Sequence, residues 1–127
     1  MRKIAIVMGD GSDAVKLTAK LRHTPTADAI WAALPISGSA NTWGDEVYFD
    51  IGVSCALESD AKTVLNAGEI AYWAAGNAIA IGYGPTPVSV GDEIRLISDA
   101  NVWADAVDDV AICRNVSGDM PVTVSAV

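Results

Sequence analysis

Side chains that alternate between apolar and polar, segment after segment, hold this chain to a β architecture. The longest run starts at Glu46: Val47, Phe49, Ile51, Val53, Cys55 and Leu57 fall on one face, and Glu46, Tyr48, Asp50 and Ser54 on the other. A period of two is the mark of a strand whose faces meet different surroundings. Gly52 breaks the second face and is expected to bend the strand or bulge it. Aromatic residues alternate in the same way in two blocks, Asn41 to Phe49 and Gly68 to Trp73. Gly76, Asn77 and Ala78, then Gly84, Pro85, Thr86 and Pro87, follow the second block. Strands built this way put one face in a core and leave the other to line a cavity.

The remaining segments extend the pattern. Ile4 to Val7 reads as a strand, Asp10-Gly11 as a type I′ hairpin signal, and Ala14 to Leu21 as the return strand. Val15, Leu17, Ala19 and Leu21 share a face there, opposite Lys16, Thr18 and Lys20. Asp10, Ser12 and Asp13 fit turn chemistry, because a calcium loop needs a downstream bidentate carboxylate at fixed spacing. Thr24 and Pro25 give a helix its N-cap and first residue, and Ala27, Ile30, Trp31 and Leu34 form its apolar stripe up to Pro35. Further strands are expected at Ala61 to Leu65, Gly68 to Trp73 and Ala78 to Tyr83. In the last, the small residues Ala78, Ala80 and Gly82 share a face, which implies close approach of another layer or a ligand. A long connection through Pro85, Pro87 and Gly91 precedes two short strands, Ile94 to Ile97 and Asn101 to Ala104. A short helix from Asp108 to about Asn115 and a closing strand from Val122 to Val127 complete the pattern. Many short strands with two isolated helices indicate a mainly β barrel whose ends the helices plug.

Composition narrows the function classes. A chain of 127 residues with 51% apolar content fits one domain, residues 1–127, with one core. A formal net charge of −8 argues against nucleic acid and anionic membranes as partners, since phosphate binding needs clustered Lys and Arg. No apolar run approaches the ~20 residues that span a bilayer, and the short stretch after Arg2 and Lys3 reads as a strand; the expected location is cytoplasmic. Cys55 and Cys113 are too few for a disulfide framework and are expected as buried free thiols.

The Asn41–Phe49 block, the Gly68–Trp73 block with Gly76-Asn77-Ala78, and Gly84 to Pro87 together resemble the small prokaryotic cyclophilin-like family. The tail from Asn101 through the short helix to Val124 runs in the same order, so the resemblance covers nearly the whole chain. It implies a closed antiparallel cyclophilin-like β-barrel of about eight strands with two short capping α-helices. One departure is that Ala74-Ala75 stand where the family tends to have two prolines, which loosens the loop after Tyr72-Trp73.

True cyclophilins isomerise prolyl peptides. They lower an amide rotation barrier of ~18–20 kcal/mol with a guanidinium set against the twisted amide and an apolar pocket for the proline ring. The Trp43–Phe49 block offers Asp45 and Glu46 where that guanidinium is expected, and Phe49 is the only phenylalanine. Arg2, Arg22, Arg95 and Arg114 fall outside the expected central strands, although Arg95 could reach a pocket from its loop. The expected function is therefore binding of a peptide or small molecule in an aromatic-lined cleft. Trp43, Glu46, Tyr48, Tyr72, Trp73 and Asn77 would line it, with Thr86 at the rim. The alternatives are an atypical peptidyl-prolyl isomerase and a structural module that forms a homo-oligomer through an exposed edge strand. For each aromatic, plain core filling competes with ligand contact. His23, before the first helix, is expected to be solvated or capping. No metal spacing, nucleophile elbow or phosphate loop is present, and no cofactor is expected.

Overall fold

The alternating segments pair into one continuous antiparallel ladder, described here for residues 2–127 of a computed structural model. The strands are β1 (Lys3–Met8), β2 (Val15–Leu21), β3 (Ile36–Ser39), β4 (Asn41–Thr42), β5 (Glu46–Asp50), β6 (Lys62–Leu65), β7 (Glu69–Trp73), β8 (Ala78–Gly82), β9 (Ile94–Ala106) and β10 (Pro121–Ala126). Nine of the ten lie on the path β3-β10-β1-β2-β9-β7-β8-β5-β4, and β6 joins from the side by pairing with β9. The two ends of the path almost meet. β3 pairs with β10 and β4 with β5, and only Ala40 separates β3 from β4, so one stretch of chain changes partner and stitches the ends together. The result is a nearly closed barrel with few free edges.

Its interior is filled from the inward faces. Ile4, Ile6, Leu17, Val47, Phe49, Ile70, Tyr72, Ile79, Ile81 and Trp103 are all buried there at 0% exposure. One helix, α1 (Pro25–Ala33), packs Ala27 and Ile30 into this core, with Trp31 and Leu34 half-buried against it. Its cap forms as the sequence indicates, the Thr24 hydroxyl accepting from the Ala27 N–H at 3.0 Å, with Pro25 at the first helical position. The second helical segment, Val110–Asn115, is a 3₁₀ helix; Asp109 caps it, and Val110 and Cys113 point inward.

A second apolar cluster lies on the opposite face of the β8–β7–β9 sheet. It joins Leu65, Ala71, Ala80, Ile94, Leu96, Ala100 and Val102, with Tyr48 packed against it. The strand β9 makes this layer possible by serving several ladders along its length. Ala104 to Ala106 pair with β2, Asn101 to Asp105 with β7, and Ile94 to Ala100 with β6. The small face of β8 is what admits it: a Cβ at Gly82 would stand 2.2 Å from Ile94 Cγ2.

Several expectations are corrected. Asp10 has φ −124°, so the first hairpin is not type I′, which needs positive φ at both central residues; the chain turns instead through a 3₁₀ segment, Gly11–Asp13. The strand expected to run to Leu57 ends at Asp50, because Gly52 at φ +68° turns the chain away from β8. Ile51, Val53 and Cys55 still pack on the core, while Leu57 is exposed. The two short strands expected after Ile94 are one continuous strand, placing Arg95 in a strand. Cys113 is buried and Cys55 half-buried. Among the described residues, no helix is long and apolar enough to cross a membrane.

Candidate functional site

Strand periodicity decides which aromatic residues can meet. Glu46 and Tyr48 share the outward face of β5, while Val47 and Phe49 take the inward one. On β7, Tyr72 points into the barrel, so its neighbour Trp73 must point out. The cross-strand partners of the outward residues on β8 are small: Gly82 faces Glu46, Ala80 faces Tyr48, and Ala78 faces Trp73. Small residues between large ones leave a hollow. A cavity of about 270 Å³ lies there, lined by Trp43, Glu46, Tyr48, Trp73, Leu96 and Ile97.

Each wall is held by local chemistry. Trp43 begins a tight turn that Gly44 closes at φ +58°, with the Trp43 N–H donating to the Glu46 carbonyl at 3.0 Å. A side chain at Gly44 would meet Pro87 Cδ at 2.8 Å, so this turn sits directly on the Gly84–Pro87 segment. Asp45 is the turn's other fastening, its N–H donating to the Pro85 carbonyl and its carbonyl accepting from the Tyr83 N–H. Trp73 is clamped on two sides. Its indole Nε1–H donates to Ser98 Oγ at 2.7 Å, and a Cβ on Gly76 would come within 2.3 Å of its ring.

Glu46 is the polar element of the cavity. The residue is 6% exposed, yet the fully enclosed side-chain polar atom left without a partner among the described residues is Trp103 Nε1, so the Glu46 carboxyl, which no ion pair meets, still reaches the open side of the cavity. Burial pushes its pKa up to about 7. Partial desolvation without an ion pair disfavours the charged form of this carboxyl.

Four of the seven residues singled out from sequence thus come together: Trp43, Glu46, Tyr48 and Trp73. Tyr72 lies inside the barrel, its hydroxyl donating to the Val53 carbonyl at 2.6 Å and accepting from the Cys55 N–H at 3.0 Å. Asn77 stands beside that hydroxyl, its side-chain oxygen 3.0 Å away, and its left-handed backbone (φ 48°) ends the 3₁₀ segment Ala74–Gly76. Thr86 is buried next to the cleft wall, where its hydroxyl donates to the Arg95 carbonyl and its N–H to Ser89 Oγ. These three residues brace the barrel and the Gly84–Pro87 segment. Sequence reasoning did not pick out Leu96 and Ile97. Ile97, 56% exposed in the middle of a strand, is an apolar residue with no core to fill.

A second, polar hollow lies between Asp45, Tyr83 and Arg114. The other arginines are engaged elsewhere. Arg2 pairs with Asp28 and lies over the Trp31 ring, Arg22 forks onto Asp105, and Arg95 is gripped by both oxygens of Glu93.

A barrel stitched closed by a strand that changes partner, with a second layer folded over one face, defines a cyclophilin-type architecture. The profile of the cyclophilin-like family matches residues 2–125, and the chain belongs to that family. Among solved structures it is similar to the hypothetical protein AF2241 from Archaeoglobus fulgidus. The two are 34% identical with a TM-score of 0.80, over 98% of this chain and 93% of that one. It also shares its fold with McbB, solved in complex with tryptophan, at 16% identity and a TM-score of 0.72; the match covers 96% of this chain and 44% of McbB. No curated protein matches the chain.

Proposed function

We propose that this protein is a binding barrel whose outer cleft takes a small molecule or one side chain of a peptide. The observation that carries this reading is Glu46: a carboxyl on a residue only 6% exposed, without a partner, in a hollow walled by three aromatic rings. Core filling accounts for buried rings but not for an acid set among them without an ion pair, facing the open side of the hollow. The volume sets the scale. About 270 Å³ falls just under the ~300–1,000 Å³ typical of pockets for drug-sized ligands, so it suits a single ring or side-chain end. McbB, part of which shares this fold, was solved in complex with tryptophan.

Prolyl isomerisation is less well supported. The cleft presents a carboxyl where a twisting amide needs a positive charge, and the arginine closest in sequence to its lining, Arg95, is tied to Glu93. The test is an amide and indole NMR screen against proline peptides and aromatic or aliphatic fragments. Binding that perturbs the Trp43 and Trp73 indole signals, and is lost in Trp43→Ala, supports the reading. Perturbations confined to Tyr83 and Arg114, or none for any fragment, would refute it; faster cis–trans exchange of a proline peptide would instead favour the enzyme.

A further inference from the structure

A binding cleft leaves the ligand's chemistry open, and the lining of this one narrows it. Resting on the binding-barrel reading, we propose that the cleft recognises an organic cation, a primary or methylated ammonium group, set against the Trp43, Tyr48 and Trp73 rings and paired with the Glu46 carboxylate.

Three features point the same way. An aromatic face carries negative charge density, so rings around one small hollow attract a cation, and quaternary ammonium groups are held this way in aromatic cages. The Glu46 carboxyl supplies the counter-charge. A neutral apolar guest would leave it buried and unpaired, and an anionic guest would be repelled by it. Third, Lys62, Arg22 and Arg95 are held by carboxylates other than Glu46: Lys62 binds Glu69 at 2.6 Å, Arg22 binds Asp105 and Glu69, and Arg95 binds Glu93. With a net charge of −8, the whole molecule also draws small cations toward its surface.

Few other ionisable groups bear on the site. β5 contributes Glu46 and Tyr48, and β7 and β8 present Trp73 and small residues. The adjoining turn carries Asp45, whose carboxyl lies against Gly84, and β9 carries Arg95, neutralised by Glu93. Binding a cation must therefore displace the proton that burial leaves on Glu46 near neutrality. Affinity should rise with pH up to about 7 and level off above it. A neutral ligand that accepts a hydrogen bond from protonated Glu46 would show the opposite slope.

The test is a titration followed by tryptophan fluorescence and indole NMR. Choline and phenethylammonium are each compared with a neutral isostere, 3,3-dimethyl-1-butanol and 2-phenylethanol. The expected result is saturable binding of at least one cation, about ten-fold tighter than its isostere at pH 8. That affinity should weaken by up to about ten-fold per unit as pH falls below 7. Glu46→Gln, which preserves shape, should erase the preference for the cation while keeping the isostere's affinity; its amide spectrum reports that the barrel is intact. Equal binding of cation and isostere, or tighter binding at low pH, would overturn the cation inference and leave the binding cleft standing. Saturation by none of the four would overturn both.

Discussion

At the scale of single residues, the cleft is a place where the fold accepts instability. Glu46 ordinarily titrates near 4.5 and is pushed up to about 7 by burial. Between those values the folded chain holds a proton that the unfolded chain has released, so raising the pH favours unfolding. Glu46→Gln should therefore stabilise the protein above pH 7, by at most on the order of 3 kcal/mol, and leave stability unchanged near pH 4; urea melts at the two pH values measure this. Gly76 is the counterpart on the opposite wall. Gly76→Ala must push the Trp73 ring aside and weaken its bond to Ser98, which should appear as an upfield shift of the Trp73 indole proton and loss of ligand affinity. The sequence displays Trp43, Glu46, Tyr48 and Trp73 as candidates for one face because a period of two is visible in it. It does not show that Tyr72 turns inward, since aromatic identity alone does not tell which face of a strand is the core.

At the scale of elements, the least regular part of the chain, from Ile51 to Ala61, is fastened by side chains in place of a ladder. Asn101, fully buried on β9, donates to the Ala56 carbonyl and to Thr26 Oγ1, both at 2.9 Å, and accepts from the Glu58 N–H at 2.8 Å. The Glu58 carboxylate in turn accepts from the Thr26 N–H at 3.0 Å at the start of α1. Asn101→Ala leaves several of these groups buried and unpaired, each worth ~1–3 kcal/mol, so a loss of about 2–4 kcal/mol is expected. Hydrogen exchange should quicken at Cys55 and Glu58 before it does at β7 or β8. The sequence implies a strand through this region because Ile51, Val53 and Cys55 do alternate onto the core; what ends the pairing is the conformation of Gly52. The join of Ile94–Ile97 to Asn101–Ala104 is also hidden in the sequence. Ser98 and Asp99 read as a break, yet they continue β9, where Ser98 holds Trp73 and the Asp99 carboxylate accepts from Thr63 Oγ1. The small face of β8, by contrast, is legible: Ala78, Ala80 and Gly82 do make room for a second layer.

At the scale of the whole molecule, two kinds of carboxylate shape how stability varies with pH. The Arg22 fork holds Asp105 below the usual carboxylate range, against the opposing effect of burial. Burial alone would raise Glu69, but Lys62, the Asn66 N–H and Arg22 together hold it low. Their contribution is present above about pH 4.5 and is lost as the pH falls through the native values. Glu46 acts with the opposite sign between its ordinary value and about 7. The melting temperature should therefore peak near pH 5 and fall on both sides, with the alkaline fall absent in Glu46→Gln; calorimetry across pH 3 to 8 checks this. The barrel and its family blocks are readable because every level of the pattern agrees with them. The cleft is readable only in part, because it forms on the outer face where β9 folds back over the sheet. The proposed binding site turns on one partly desolvated acid among the rings, and carbon-13 NMR of the Glu46 side-chain carboxyl reads it directly. The expected midpoint is near 7 in the free protein, moving down when an alkylammonium ion saturates the cleft. A midpoint in the ordinary range of about 4.3, unmoved by such ions, would contradict it.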